Sequence, residues 1–117
     1  MNHYQSPEDM LQIPSLLKLA PTESKAFLAF DHITKREDGS LPLKTREFIA
    51  LAVALTIQCA YCLDVHTRGA KLAGATPEEL AELISIAAAV RAGATMGHGL
   101  MALRLFNHAP SANQNTP

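Results

Sequence analysis

Glu47-Phe-Ile-Ala-Leu-Ala-Val-Ala-Leu-Thr-Ile-Gln-Cys-Ala-Tyr-Cys-Leu-Asp-Val-His66 is the stretch that decides how this chain folds. Its first half is apolar on almost every side at helical spacing, so Lys44 to Ile57 reads as a central helix that other elements or other subunits must cover. Its second half holds both cysteines of the chain, two residues apart, with a histidine four positions after the second. A pair so spaced, in a short chain without a secretory signal, reads as a dithiol/disulfide centre or a metal site rather than a structural disulfide.

Working outward, Leu41-Pro42-Leu43 is a short extended connector into the central helix. Upstream, Phe27, Phe30 and Ile33 recur at helical spacing from Thr22 towards a turn at Asp38-Gly39. Ser6-Pro7-Glu8-Asp9 has the form of a helix start, serine as cap and proline in the first turn, and Pro14 is expected to end that helix early. Downstream, the cysteine helix should run to Leu72-Ala73-Gly74, with Gly74 as its C-terminal stop. Thr76-Pro77-Glu78-Glu79 is a capping box, and the helix it opens carries Leu80, Leu83, Ile84, Ala87 and Ala88 on one face. Gly93, Gly97 and Gly99 weaken helix propensity by about 1 kcal/mol each relative to alanine. The segment is therefore expected either to kink there or to continue because a neighbouring backbone packs on the glycines. Leu100 to Phe106 resumes the pattern, and the polar tail 109–117 is expected to be disordered. No segment alternates at period two. The expectation is an all-α single domain spanning 1–117, its core about 41–106, with five to seven helices and the Cys-X-X-Cys at the start of a central one.

Ten Lys and Arg against eleven Asp and Glu leave a net charge of −1 with no basic cluster, so neither nucleic acid nor a membrane surface is an expected partner. The longest unbroken apolar run, Phe48 to Leu55, is too short to span a bilayer, and the N-terminus lacks signal-peptide character. A cytoplasmic location is expected, where a disulfide would be transient and functional.

On a helix, separations of three and four residues rotate by about 300° and 400°, so Cys59, Cys62 and His66 share one face. Cysteines three apart lie within disulfide reach, and a helix N-terminus stabilises a thiolate. One cysteine can attack and the other resolve. His66, one turn beyond Cys62, reads as its general base, and such a base needs an orienting carboxylate. Asp64 points some 200° away from Cys62. Glu47 fits better, provided the chain bends near Gln58 and folds the two helices together. Blander readings stand beside these: Glu47 as a solvated first-turn acid, the cysteines as buried small hydrophobes, or three zinc ligands in search of a fourth. His98 reads as a packed or subunit-facing residue, and His3, His32 and His108 have no evident partners.

The spacing Glu47, eleven residues, Cys59-X-X-Cys62, three residues, His66 resembles the core motif of the AhpD-like alkylhydroperoxidases within the carboxymuconolactone decarboxylase family. The approach Leu-Pro-Leu-Lys-Thr-Arg-Glu and the sequel Thr-Arg-Gly-Ala-Lys-Leu-Ala-Gly-Ala-Thr-Pro-Glu-Glu-Leu are also similar, so the resemblance covers about Leu41 to Phe106. It implies an all-helical homotrimer or homohexamer with thiol-dependent peroxidase or disulfide reductase activity in antioxidant defence. Hydroperoxides or disulfides would be the substrates, a lipoylated or thioredoxin-like protein the reductant, and no cofactor or metal is called for. Glu47 and His66 would form a proton relay through water that activates Cys62, with Cys59 completing a redox-active disulfide. The best-known members carry a histidine just before the second cysteine; this chain has Tyr61, expected at most as an auxiliary hydrogen-bond donor. The decarboxylase branch lacks the cysteine pair. A carboxymuconolactone-decarboxylase-type enzyme, or a non-catalytic metal-binding or oligomeric module, are the alternative functions on this fold.

Overall fold

The computed structural model describes residues 5–112, and among these every regular element is helical. A 3-10 helix, Pro7–Gln12, leads into α1 (Ile13–Leu19) and α2 (Pro21–Ile33); α3 (Leu43–Ile57), α4 (Ala60–Leu72) and α5 (Pro77–His108) follow. Most of the 109–117 tail expected to be disordered, residues 113–117, and His3 lie outside the described residues.

Local chemistry accounts for most boundaries. Ser6 caps the 3-10 helix reciprocally with Asp9, as Thr76 caps α5 with Glu79. Gly74, at a φ of 94°, takes the left-handed turn that ends α4, where Ala75 N–H reaches back to the Ala70 carbonyl at 2.9 Å. Pro14 does not terminate a helix. The 3-10 turn stops at Gln12, and Pro14 occupies the first turn of α1, where a missing N–H costs no intrahelical bond. The α2 helix ends at Ile33, with Thr34 Oγ1 donating to the Asp31 carbonyl, several residues before Asp38-Gly39.

α3 is the central element and packs along both α4 and α5. Leu51, 1% exposed, meets Ala70 of α4 and Leu83 of α5, with Phe48, Leu55, Leu63 and Leu80 around them, and Ala54 of α3 is equally buried. Lys44 Nζ lies 2.7 Å from Glu79 Oε2, tying the start of α3 to the start of α5. That hydrogen bond, followed by the Thr76 backbone, holds the Glu79 carboxyl below its usual range.

α5 runs unbroken through all three glycines. Among the described residues a Cβ at Gly93, Gly97 or Gly99 would meet nothing within 4 Å, so no described backbone packs on them. α5 is long and apolar enough to cross a membrane by length and composition, although Arg91 interrupts it near its middle. The unbroken apolar runs read from the sequence did not reveal this, because Arg91 and the glycines break the run while the mean hydropathy stays high. Much of α5 is uncovered, including Ile86, Val90, Met96, Leu100 and Phe106, and so are Phe30 and Ile33 of α2.

Candidate active site

The turn between α3 and α4 sets the site. Gln58 adopts the left-handed conformation, φ 59° and ψ 48°, an uncommon state for a residue with a side chain. It reverses the chain within two residues, while Cys59 N–H closes back on the Ala54 carbonyl at 3.0 Å. Cys59 then serves as the N-cap of α4, its Sγ accepting from Cys62 N–H at 3.3 Å. The two cysteines are joined as a disulfide with a Cα separation of 5.3 Å, inside the normal range. Once reduced, both sulfurs would stand at the positive end of a helix dipole, beside N–H groups that favour a thiolate.

The same reversal lays α4 antiparallel to α3 and brings Glu47 to His66. His66 Nδ1 lies 2.7 Å from Glu47 Oε2, and the two side chains are 17% and 7% exposed. A carboxylate only accepts, so Nδ1–H is the donor, and the neutral tautomer that fits this contact would leave the Nε2 lone pair free. Burial of a carboxylate is costly unless it is paired, and this contact is its pairing. Asp64, by contrast, faces outward and pairs with Arg68 at 3.1 Å.

Sequence reading did not pick out Gly69, three residues beyond His66. A Cβ there would stand 2.7 Å from Glu47 Cδ and 2.8 Å from each carboxylate oxygen. Only glycine leaves room for the carboxylate against α4. Its separation from His66 by one helical turn was the available signal, but the need for a bare backbone depends on α3 being there.

Cys62 and His66 line one cavity of about 660 Å³, together with Tyr61 and Val65. Its opposite wall comes from the 3-10 helix, α1 and α2, through Met10, Ile13, Leu16, Leu17, Phe27 and Leu28. The volume is in the range of small-molecule sites. Cys59 does not line it, so Cys62 is the sulfur presented to this space. Tyr61 directs its hydroxyl to Asp9 Oδ2, 2.5 Å away. That hydrogen bond raises the Tyr61 pKa above 10.0 and lowers that of Asp9. His98 is exposed on α5, remote from this cavity, and His108 Nδ1 lies 2.8 Å from the Arg104 carbonyl. Among the described residues no group of three His, Cys, Asp or Glu side chains is arranged to hold a metal ion.

The described chain is thus all-helical, with a Cys-X-X-Cys at a helix N-terminus and a largely buried Glu–His pair on the same two helices. The chain belongs to the carboxymuconolactone decarboxylase family, whose profile matches residues 21–105. It is 40% identical over 87 residues to "Uncharacterized protein 4 in cox locus" of Paracoccus denitrificans, covering 74% of this chain and 78% of that one. A Cupriavidus necator protein, also named as uncharacterized, is 34% identical over 76% of this chain and 80% of its own length. Bacillus subtilis YdfG, likewise, is 32% identical over 61% of this chain and 47% of its own length. The family includes enzymes.

Proposed function

We propose that the protein is a thiol-dependent peroxidase, reducing organic hydroperoxides through a Cys59/Cys62 dithiol–disulfide cycle. The observation that carries this reading is that Cys62 and His66 line one apolar cavity while a buried Glu47 carboxylate holds the other face of the imidazole. In the reduced protein, His66 Nε2 takes the Cys62 thiol proton, through water, and Glu47 stabilises the imidazolium. The Cys62 thiolate attacks the terminal peroxide oxygen; an S–O bond forms, the O–O bond breaks, and the alkoxide leaves with the proton from His66 as an alcohol. Cys62 is then a sulfenic acid. The Cys59 thiol attacks its sulfur, forming the S–S bond and releasing water. A dithiol donor, such as a lipoylated or thioredoxin-like protein, restores both thiols by exchange. The net change is hydroperoxide plus dithiol to alcohol, water and disulfide. Cytoplasmic thiol pools would keep such a donor reduced.

The test is hydroperoxide consumption by purified protein with dihydrolipoamide as reductant. Turnover that disappears in Cys62→Ser supports the reading. Turnover unchanged in that variant, or absent from the wild type, removes it.

The assembly is proposed to be a homotrimer or homohexamer. A compact chain of this size has a radius of gyration of about 13 Å and an accessible surface of about 6,200 Å². This one has 20.8 Å and 9629 Å². The surplus exceeds the roughly 800 Å² per partner that one ordinary interface covers. A groove of about 520 Å³ between α3 and α5 is lined by Ile49, Val53, Ile86 and Val90, and the glycines further along α5 meet no neighbour within 4 Å. A second copy is the better cover for α5 than lipid. Arg91, whose guanidinium donates to the Thr56 carbonyl, would cost about 2.5–3.5 kcal/mol at a bilayer centre. Light scattering should give three or six times 12.6 kDa; a monomer, or protein recovered only in the membrane fraction, would overturn this.

A further inference from the structure

The N-terminal elements form a unit of their own. α1 packs on the 3-10 helix and on α2, and Ser24 Oγ, in a largely buried side chain, donates to the Leu16 carbonyl at 3.3 Å across the hairpin. α3 packs on α4 and α5, but the hairpin helices do not lie closely along any of these three. The space between the hairpin and α4 is the cavity in front of Cys62.

Among the described residues, polar connections span the divide at two places. At one end Arg46 of α3 donates from Nε to the Leu41 carbonyl at 2.9 Å and from Nη1 to the Thr34 carbonyl at 3.0 Å. These bonds fix the connector between α2 and α3, at the base of the hairpin. At the other end is the hydrogen bond from Tyr61 to Asp9, between residues 52 apart in sequence. Asp9 is itself held by Ser6, whose N–H donates to Oδ2 at 3.0 Å. Tyr61 is equally constrained, in the first turn of α4 between the two cysteines. The arrangement is a hinge at Arg46 and a tie at Asp9, with the apolar wall of Met10, Ile13, Leu16 and Phe27 suspended between them.

We propose that the Asp9–Tyr61 hydrogen bond is a latch that holds the hairpin over Cys62, and so makes these two residues specificity-determining for the alkyl portion of the substrate. The proposal rests on the peroxidase reading for its substrate, an organic hydroperoxide with a long apolar chain. With the latch closed, that chain is received between the hairpin and α4 while its peroxide group reaches Cys62 and His66. With the latch broken, the hairpin swings away and the apolar wall is lost, whereas a small peroxide needs no such wall. A buried methylene is worth about 0.8 kcal/mol, so two or three of them left in water lower apparent affinity by about tenfold or more. Asp9 and Tyr61 act through position here; neither is asked to transfer a proton.

The experiment compares kcat/KM for dodecyl hydroperoxide and for hydrogen peroxide in wild type, Asp9→Ala, Tyr61→Phe, the double variant and Asp9→Asn. The expected result is that the dodecyl-to-hydrogen-peroxide ratio falls about tenfold in each single variant, mainly through KM. The double variant should be no worse than either single one. Asp9→Asn, whose amide oxygen still accepts the phenolic proton, should retain most of the preference. Ratios equal to wild type in Asp9→Ala and Tyr61→Phe, or additive losses in the double variant, would overturn the latch. A second measurement stands apart from turnover: protection of the reduced Cys62 thiol from iodoacetamide by dodecanol. Protection that is present in wild type and lost in Asp9→Ala and Tyr61→Phe supports the latch even if no peroxide is consumed; protection equal in all three, or absent from wild type, refutes it.

Discussion

Replacing Gly69 by alanine separates the stability of α4 from the chemistry of its face. The new Cβ would begin 2.7 Å from Glu47 Cδ and 2.8 Å from both oxygens, where ordinary carbon contacts need about 3.5–4.0 Å. The carboxylate must therefore shift by about 1 Å, and a shift of that size away from Nδ1 would take the 2.7 Å contact with His66 beyond hydrogen-bond range. Two effects oppose each other in stability. Alanine is favoured over glycine in a helix interior by about 1 kcal/mol, while a charge-assisted hydrogen bond is worth about 1.5–3 kcal/mol. The net loss should be about 1 kcal/mol, small enough for the protein to fold. Reactivity should suffer more. General-base assistance is typically worth 10²- to 10⁴-fold, and an imidazole without its orienting carboxylate should forfeit on the order of 10- to 100-fold. The assay is the rate of iodoacetamide alkylation of Cys62 at neutral pH in a Cys59→Ser background, paired with urea unfolding of the same proteins. A wild-type alkylation rate in Gly69→Ala, with stability changed as expected, would refute the claim that the Glu47 carboxylate must sit where it does.

Glu47→Gln should reproduce the slowed alkylation, since an amide accepts the Nδ1 proton more weakly than a carboxylate, and should leave k values within about threefold of Gly69→Ala in the same assay. The Asp9–Tyr61 bond gives a pH signature. Asp9, lowered from 3.8 chiefly by Tyr61 and then by the Ser6 backbone, contributes stability above pH 3.8 that is lost as pH falls through its lowered value. Tyr61, raised from 10.0 chiefly by the bond to Asp9, contributes below pH 10.0 and loses that contribution as pH rises through its raised value. Ultraviolet titration should therefore show one tyrosinate forming late, and Asp9→Ala should bring it back towards 10.0. Thr76→Ala removes the cap of α5 and should cost about 1 kcal/mol in chemical unfolding, without altering the alkylation rate of Cys62.

What could be read from the chain was whatever depends on neighbours in sequence. The Thr76 box, the Gly74 stop and the placement of Cys59 at a helix start are each decided within a few residues. The meeting of Glu47 with His66 was legible one level up, because two adjacent helices joined by a tight turn at Gln58 have few ways to fold back. Pro14 was misread because a proline suits the first turn of a new helix as well as the end of an old one. The course of α5 through its glycines depended on propensities that tertiary context overrides. Gly69 and Asp9 were not identifiable, since the need for each arises only when a distant element arrives: the α3 carboxylate for one, the Tyr61 hydroxyl for the other.

The central claim is that Cys62, served by His66 and Glu47, reduces a hydroperoxide and passes the oxidation to Cys59. A single-turnover experiment tests it most directly: reduced protein, freed of excess thiol, is mixed with a stoichiometric organic hydroperoxide, and alcohol and free thiols are counted by mass spectrometry. The account predicts one alcohol formed and one Cys59–Cys62 disulfide per chain, and a sulfenic acid on residue 62 when Cys59 is replaced by serine. Peroxide left unreduced with both thiols intact, or oxidation that begins at Cys59 with Cys62 untouched, would contradict it.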